Sequence, residues 1–144
     1  MKPEALTDCL PGIYRAVAKV PINGPMSMMA AMHVIKTNDA LILVDPCRLP
    51  DSDLKTLEDL GTPTHIIITC SNHVRHTQFY RDRYKTPVLA NRALVSKIET
   101  GVDTFFGDGD ALPGGLSGID MPGMSPGETI LLHSGGKGAL IVGD

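Results

Sequence analysis

A layered α/β fold, with helices against a sheet, is predicted by two features of this sequence. Apolar strand-like runs alternate with helix-periodic segments between residues 40 and 98. Glycine and proline are dense, 15 and 11 residues, which favours short strands and turns over long helices. No apolar run approaches the roughly 18 residues of a membrane span. The 144 residues suffice for one ordinary core, so residues 1–144 are read as a single domain.

The first third reads as strands. Residues 13–20 form the first, and residues 28–35 form the second, which ends at the Thr37-Asn38-Asp39 turn. Residues 40–45 form the third, and their unbroken apolar run implies burial on both faces. The second and third make a hairpin around the tight polar turn. Met26, Met28, Met29 and Met32 are read as pliable core filler. The period then changes. Asp51 or Ser52 caps a helix carrying Leu54, Leu57 and Leu60 on one side, and Gly61 stops it. Residues 65–69 are a strand again. Residues 76–84 are a helix with Phe79 and Tyr80 facing inward, residues 87–90 a short strand, and Asn91 caps a helix over 92–98. A turn at Asp108-Gly109-Asp110 precedes a strand over 116–121 and a loop over 123–127. Strands over 129–133 and 139–142 are joined by a glycine-rich hairpin turn. An apolar strand followed by Gly143-Asp144 leaves a sheet edge that needs cover. The chain is therefore expected to be the N-terminal portion of a longer fold, or to be completed by another chain.

Charge and cysteine content narrow the functional classes. The net charge of −3 offers no basic footprint, so no nucleic-acid partner is expected. Cys9, Cys47 and Cys70 are odd in number and form no Cys-x-x-Cys. Neither a disulfide framework nor a zinc knuckle follows, and a reducing cytoplasmic setting is expected. No apolar h-region follows Met1-Lys2-Pro3-Glu4, so neither secretion nor a membrane partner is expected.

The chemistry concentrates at one strand end. Ile66-Ile67-Ile68-Thr69 runs into Cys70-Ser71-Asn72-His73-Val74-Arg75-His76, where two histidines three residues apart precede a helix. Such a strand-end turn is a common setting for metal-assisted hydrolysis. The plainer reading is a pair of hydrogen-bonded histidines at a helix start. His33 and His65 are read as structural and His133 as solvent-facing. Cys70 is read as a small packed residue rather than a nucleophile.

The order of parts resembles the metallo-β-lactamase superfamily. Leu43-Val44-Asp45-Pro46 looks like the family's strand ending in Asp-Pro or Asp-Gly. Residues 69–76 stand where the family has His-x-His-x-Asp-His. Pro122-Gly123-Met124-Ser125-Pro126-Gly127 looks like its Pro-Gly-His-Thr/Ser-Pro-Gly loop, and Leu140-Ile141-Val142-Gly143-Asp144 like its Leu-Phe-x-Gly-Asp strand end. The resemblance implies an αββα sandwich, with mixed sheets and helices on their outer face, and hydrolysis of esters, thioesters, amides or phosphoesters through zinc-bound hydroxide. In that pattern His73, His76 and Asp144 stand at metal-ligand positions, with Asp144 and His73 as the catalytic candidates.

The departures fall on the same motif. Ser71, Arg75 and Met124 occupy positions where the family has His, Asp and His. A guanidinium stays protonated at any relevant pH and repels a dication. Arg75 is expected to take over charge balance by pairing with Asp144, while Asp45 orders the loop through backbone hydrogen bonds. Met124 is read as a plug for the space an imidazole would fill.

Three functional readings follow. The first is a hydrolase-like protein with a degenerate metal site, which leaves its status as an enzyme open. No cofactor is expected on this reading, although zinc is the one the family allows. The second is a single-metal hydrolase using His73, His76 and Asp144. The third is a non-catalytic module that binds a small-molecule ligand, or a second copy of itself through an open sheet edge.

Overall fold

The computed structural model describes residues 4–99, 101–121, 123 and 125–143. The described residues form eleven strands in two sheets. The larger sheet has seven strands in chain order. β1 (Glu4–Leu10), β2 (Ile13–Asn23), β3 (Met26–Lys36) and β4 (Leu41–Val44) run antiparallel to their neighbours. β5 (His65–Ile68), β6 (Val88–Asn91) and β7 (Thr104–Phe106) continue it in parallel. The change of direction has a sequence cause. Short polar turns join the early strands, whereas helical crossovers join β4 to β5 and β5 to β6.

Those crossovers are α1 (Asp51–Leu60) and α2 (Thr77–Tyr84). Leu54, Leu57 and Tyr80 pack with Met32, Leu43 and Ile66 in a core on one face of the large sheet. On the other face Ile42, Val44, Ile67 and Leu89 meet Leu116, Leu131 and Ile141 of the second sheet. This is why β4 is buried along its whole length: it has apolar neighbours on both sides. The second sheet is antiparallel, in the order β11 (Ala139–Ile141), β10 (Thr129–His133), β9 (Leu116–Asp120), β8 (Ala111–Leu112). The layers are therefore helix, sheet and sheet. No helix among the described residues is long and apolar enough to cross a membrane.

Several local expectations are corrected. Pro50 is the N-cap of α1, and Asp51 lies inside the first turn, where its charge favours the helix N-terminus without a side-chain cap bond. The helix expected over 92–98 is a 3-10 turn over Arg92–Leu94, although Asn91 does accept the Ala93 N–H at 2.9 Å. Met32 is core, but Met26 and Met28 are exposed, because β2 and β3 run on as a hairpin past the body of the sheet. β1, β7 and β8 lie in stretches with no strand signal.

Candidate functional site

The site forms where β4 and β5 end side by side. The parallel register pairs Val44 with Ile67, so Asp45, one residue on, and Thr69, two residues on, meet at the strand ends. Asp45 leaves the strand at φ 50°, a left-handed conformation that aspartate tolerates better than most residues. Its amide still donates to Ile67 O at 3.0 Å. Its carboxylate is buried and fully engaged: Oδ1 accepts the Thr69 amide at 2.8 Å and Oδ2 the Thr69 hydroxyl at 2.5 Å. Oδ2 also lies 3.0 Å from Nδ1 of His73, itself buried. A carboxylate accepts only, so the His73 proton sits on Nδ1. The short Ser71–His73 3-10 turn brings the ring back over the strand end.

Arg75 also adopts a left-handed conformation, at φ 41°. Its Nη1 donates to Ala31 O of β3 at 2.9 Å and to Asp45 O at 3.4 Å, and lies 3.7 Å from Cys47 Sγ. The guanidinium thus straps the Asp45 loop to β3. His76 is held differently. Its Nδ1 accepts the Arg48 backbone N–H at 3.1 Å, so the neutral ring carries its proton on Nε2. Partial burial, and then the charges of Arg48 and Arg75, push its pKa below the ordinary 6.5.

His73, His76, Arg75 and Asn72 form the polar floor of a cavity of about 620 Å³. Val20, Pro21, Ile22 and Met28 of the β2–β3 hairpin form its apolar side. Of the residues singled out in the sequence, His73, Arg75 and His76 are brought together there, with Asp45 directly behind His73. Ser71 is half-buried and does not line the cavity; Asn72 does. Met124 and Asp144 lie outside the described residues, and with them the expected Arg75–Asp144 pair. Cys70 is buried, with its Sγ 3.8 Å from Ser125 Oγ. Three contributors were not among the candidate site residues. Thr69 reads as a strand end, and Arg48 acts through its backbone. Gly143 packs so closely on His73 that a Cβ there would lie 2.7 Å from Cε1.

The described residues do not by themselves make up a metal centre. Among the described residues, no three His, Cys, Asp or Glu side chains are gathered so as to hold an ion. A guanidinium stands in the cavity floor, and the neutral His76 ring presents a donor at Nε2 rather than a lone pair.

The family model for the metallo-β-lactamase superfamily matches residues 26–144. No curated protein matches the sequence. Among solved structures, a metallo-β-lactamase from Hirschia baltica is similar with a TM-score of 0.70 and 14% identity, covering 92% of this chain and 68% of that one. BJP-1, a subclass B3 metallo-β-lactamase of Bradyrhizobium japonicum, is similar with a TM-score of 0.61 and 21% identity, covering 99% and 62%. FIM-1 from Pseudomonas aeruginosa in the mono-zinc form gives a TM-score of 0.68 and 11% identity, covering 90% and 64%. At these identities the structural likeness speaks to fold alone, and the chain spans 62–68% of the length of these three structures. The family-model match over most of the sequence, with the two sheets and the strand-end site in the expected order, places the chain in the metallo-β-lactamase superfamily.

Proposed function

We propose that this chain is a hydrolase-fold protein with a degraded metal site, little or no zinc-dependent hydrolysis, and a cavity retained for binding. The observation that carries this reading is Arg75 in the cavity floor beside His73 and His76, anchored to the carbonyls of Ala31 and Asp45. The magnitude supports it. A dication about 5 Å from a guanidinium would be opposed by roughly 7 kcal/mol at an effective dielectric of about 20. Tight structural zinc, with four good ligands, gains only about 10–16 kcal/mol. A site with fewer ligands would lose much of its affinity to that opposition. In this reading Asp45 and His73 serve the architecture of the strand end, and Arg75 supplies the positive charge that a metal would supply in the family.

Restoring the ancestral residues tests the idea. The triple variant Ser71→His, Arg75→Asp, Met124→His is expected to bind zinc by calorimetry where the native protein does not. If the variant folds and still takes up no zinc, the inherited geometry is not what Arg75 disrupted. If the native protein binds zinc tightly and hydrolyses ester or thioester probes in a chelator-sensitive way, the single-metal reading with His73, His76 and Asp144 replaces this one.

A further inference from the structure

We infer that a crevice between the two sheets, at the end of the strands remote from Asp45 and His73, binds small uncharged phenols, with the ring between the sheets and the hydroxyl donating to His65. Its residues are distinct from those of the strand-end site, so it holds whatever the state of that site.

β5, β6 and β7 run parallel, so their N-terminal ends lie together, opposite the end where Asp45, Thr69 and His73 meet. There His65, Leu89 and Phe106 of the large sheet, with Leu112 of β8 and Pro113 after it, line a crevice of about 520 Å³. That size is within the range of small-molecule sites. Leu89, Phe106 and Leu112 are buried members of the core between the sheets, so the crevice opens into that core. Gly118 of β9 lets the Phe106 ring lie against the second sheet, since a Cβ there would come within 2.8 Å of Cε2. The ring is thereby held as a fixed wall, and an aromatic guest gains from contact with it beyond area burial alone.

His65 supplies the polar anchor. Thr64 Oγ1 accepts the Leu41 N–H at 3.1 Å and donates its one proton to Leu41 O at 3.2 Å. His65 Nδ1, 3.0 Å from the same oxygen, therefore carries the proton between them, and Nε2 keeps its lone pair. Burial lowers the His65 pKa below the ordinary 6.5, so the ring is neutral at neutral pH. No lysine or arginine is among the described residues lining the crevice, and the Asp110 carboxylate in its wall opposes an anion. Apolar walls, an aromatic side and one neutral acceptor select an uncharged ring that carries a donor.

Phenol, anisole and benzoate are titrated into the isotope-labelled 144-residue chain and followed by its amide resonances. Phenol is expected to shift the amides of Phe105, Phe106, Ala111 and Leu112 saturably, with a Kd on the order of 1 mM, and to leave those of residues 72–76 in place. Anisole, the same ring without the donor, should bind about fivefold more weakly. Benzoate, which must bring a charge between apolar walls, should bind at least about tenfold more weakly. His65→Leu keeps the bulk and removes the acceptor, so it should weaken phenol about fivefold and leave anisole unchanged. If that variant does not fold, phenol against anisole decides. Anisole binding as tightly as phenol, undiminished phenol binding to folded His65→Leu, shifts confined to residues 72–76, or no saturation by about 10 mM each overturns the inference.

Discussion

At the residue scale, Asp45 is the hinge of the site. One carboxylate holds the end of β5 through the Thr69 amide and hydroxyl and orients His73 through Nδ1. Its left-handed backbone means that Asp45→Asn keeps the conformation but loses the charge and turns one of the two acceptor oxygens into a donor. Because the group is buried, that variant is expected to lose about 1–3 kcal/mol in denaturant unfolding, and a change within error would show the network to be incidental. Gly143→Ala tests the packing above it. The new Cβ would come within 2.7 Å of His73 Cε1 and 2.9 Å of Thr69 Oγ1, so a loss of about 1–3 kcal/mol is expected. Histidine 76 sets a pH dependence. Its pKa is lowered in the folded state by burial and by Arg48 and Arg75, so the unfolded chain binds more protons near and below pH 6.5. This contribution is complete above the unfolded value and is lost as pH falls through the lowered folded value. A melting temperature that falls on acidification from pH 7 to about 5, less steeply in His76→Gln, is the expected result.

At the scale of elements, Tyr80 joins α2 to the loop before α1. Its hydroxyl donates to Cys47 O at 2.6 Å and accepts the Leu49 N–H at 3.1 Å while fully buried. Burial pushes its pKa far up, so it stays a neutral donor throughout the working range. Tyr80→Phe leaves both backbone partners unsatisfied and is expected to cost about 1–3 kcal/mol. Elements of this kind were legible in the sequence. Leu54 and Leu57 sit at helical spacing in α1, and Leu41–Val44 is an unbroken apolar run. What was not legible follows from edge positions and tertiary pairing. β1 reads Glu-Ala-Leu-Thr-Asp-Cys-Leu, with little alternation, because it sits at a sheet edge where one side meets water. β7 and β8 have three and two residues, too few for a period. The histidine loop was visible as a motif. Its supports, Thr69 and the Arg48 amide, became neighbours of Asp45 and His76 only through the parallel register and the crossover.

At the scale of the whole molecule, the second sheet matters most for behaviour in solution. Its outer face carries Leu140 and Val142, 61% and 52% exposed, beside Ile119 and Leu132. Adjacent exposed aliphatics of this kind favour association. Size-exclusion chromatography is expected to show an apparent mass above one chain that rises with concentration, and Leu140→Lys should reduce it. The site stands apart from that face, at the ends of β4 and β5, and its character is set by charge. The central claim is that a permanent cation now occupies the place of a dication. The most direct measurement is the metal content of the native protein after exposure to excess zinc and desalting. Clearly substoichiometric zinc is the expected result, and one zinc per chain, retained through desalting and removed only by a chelator, would contradict it.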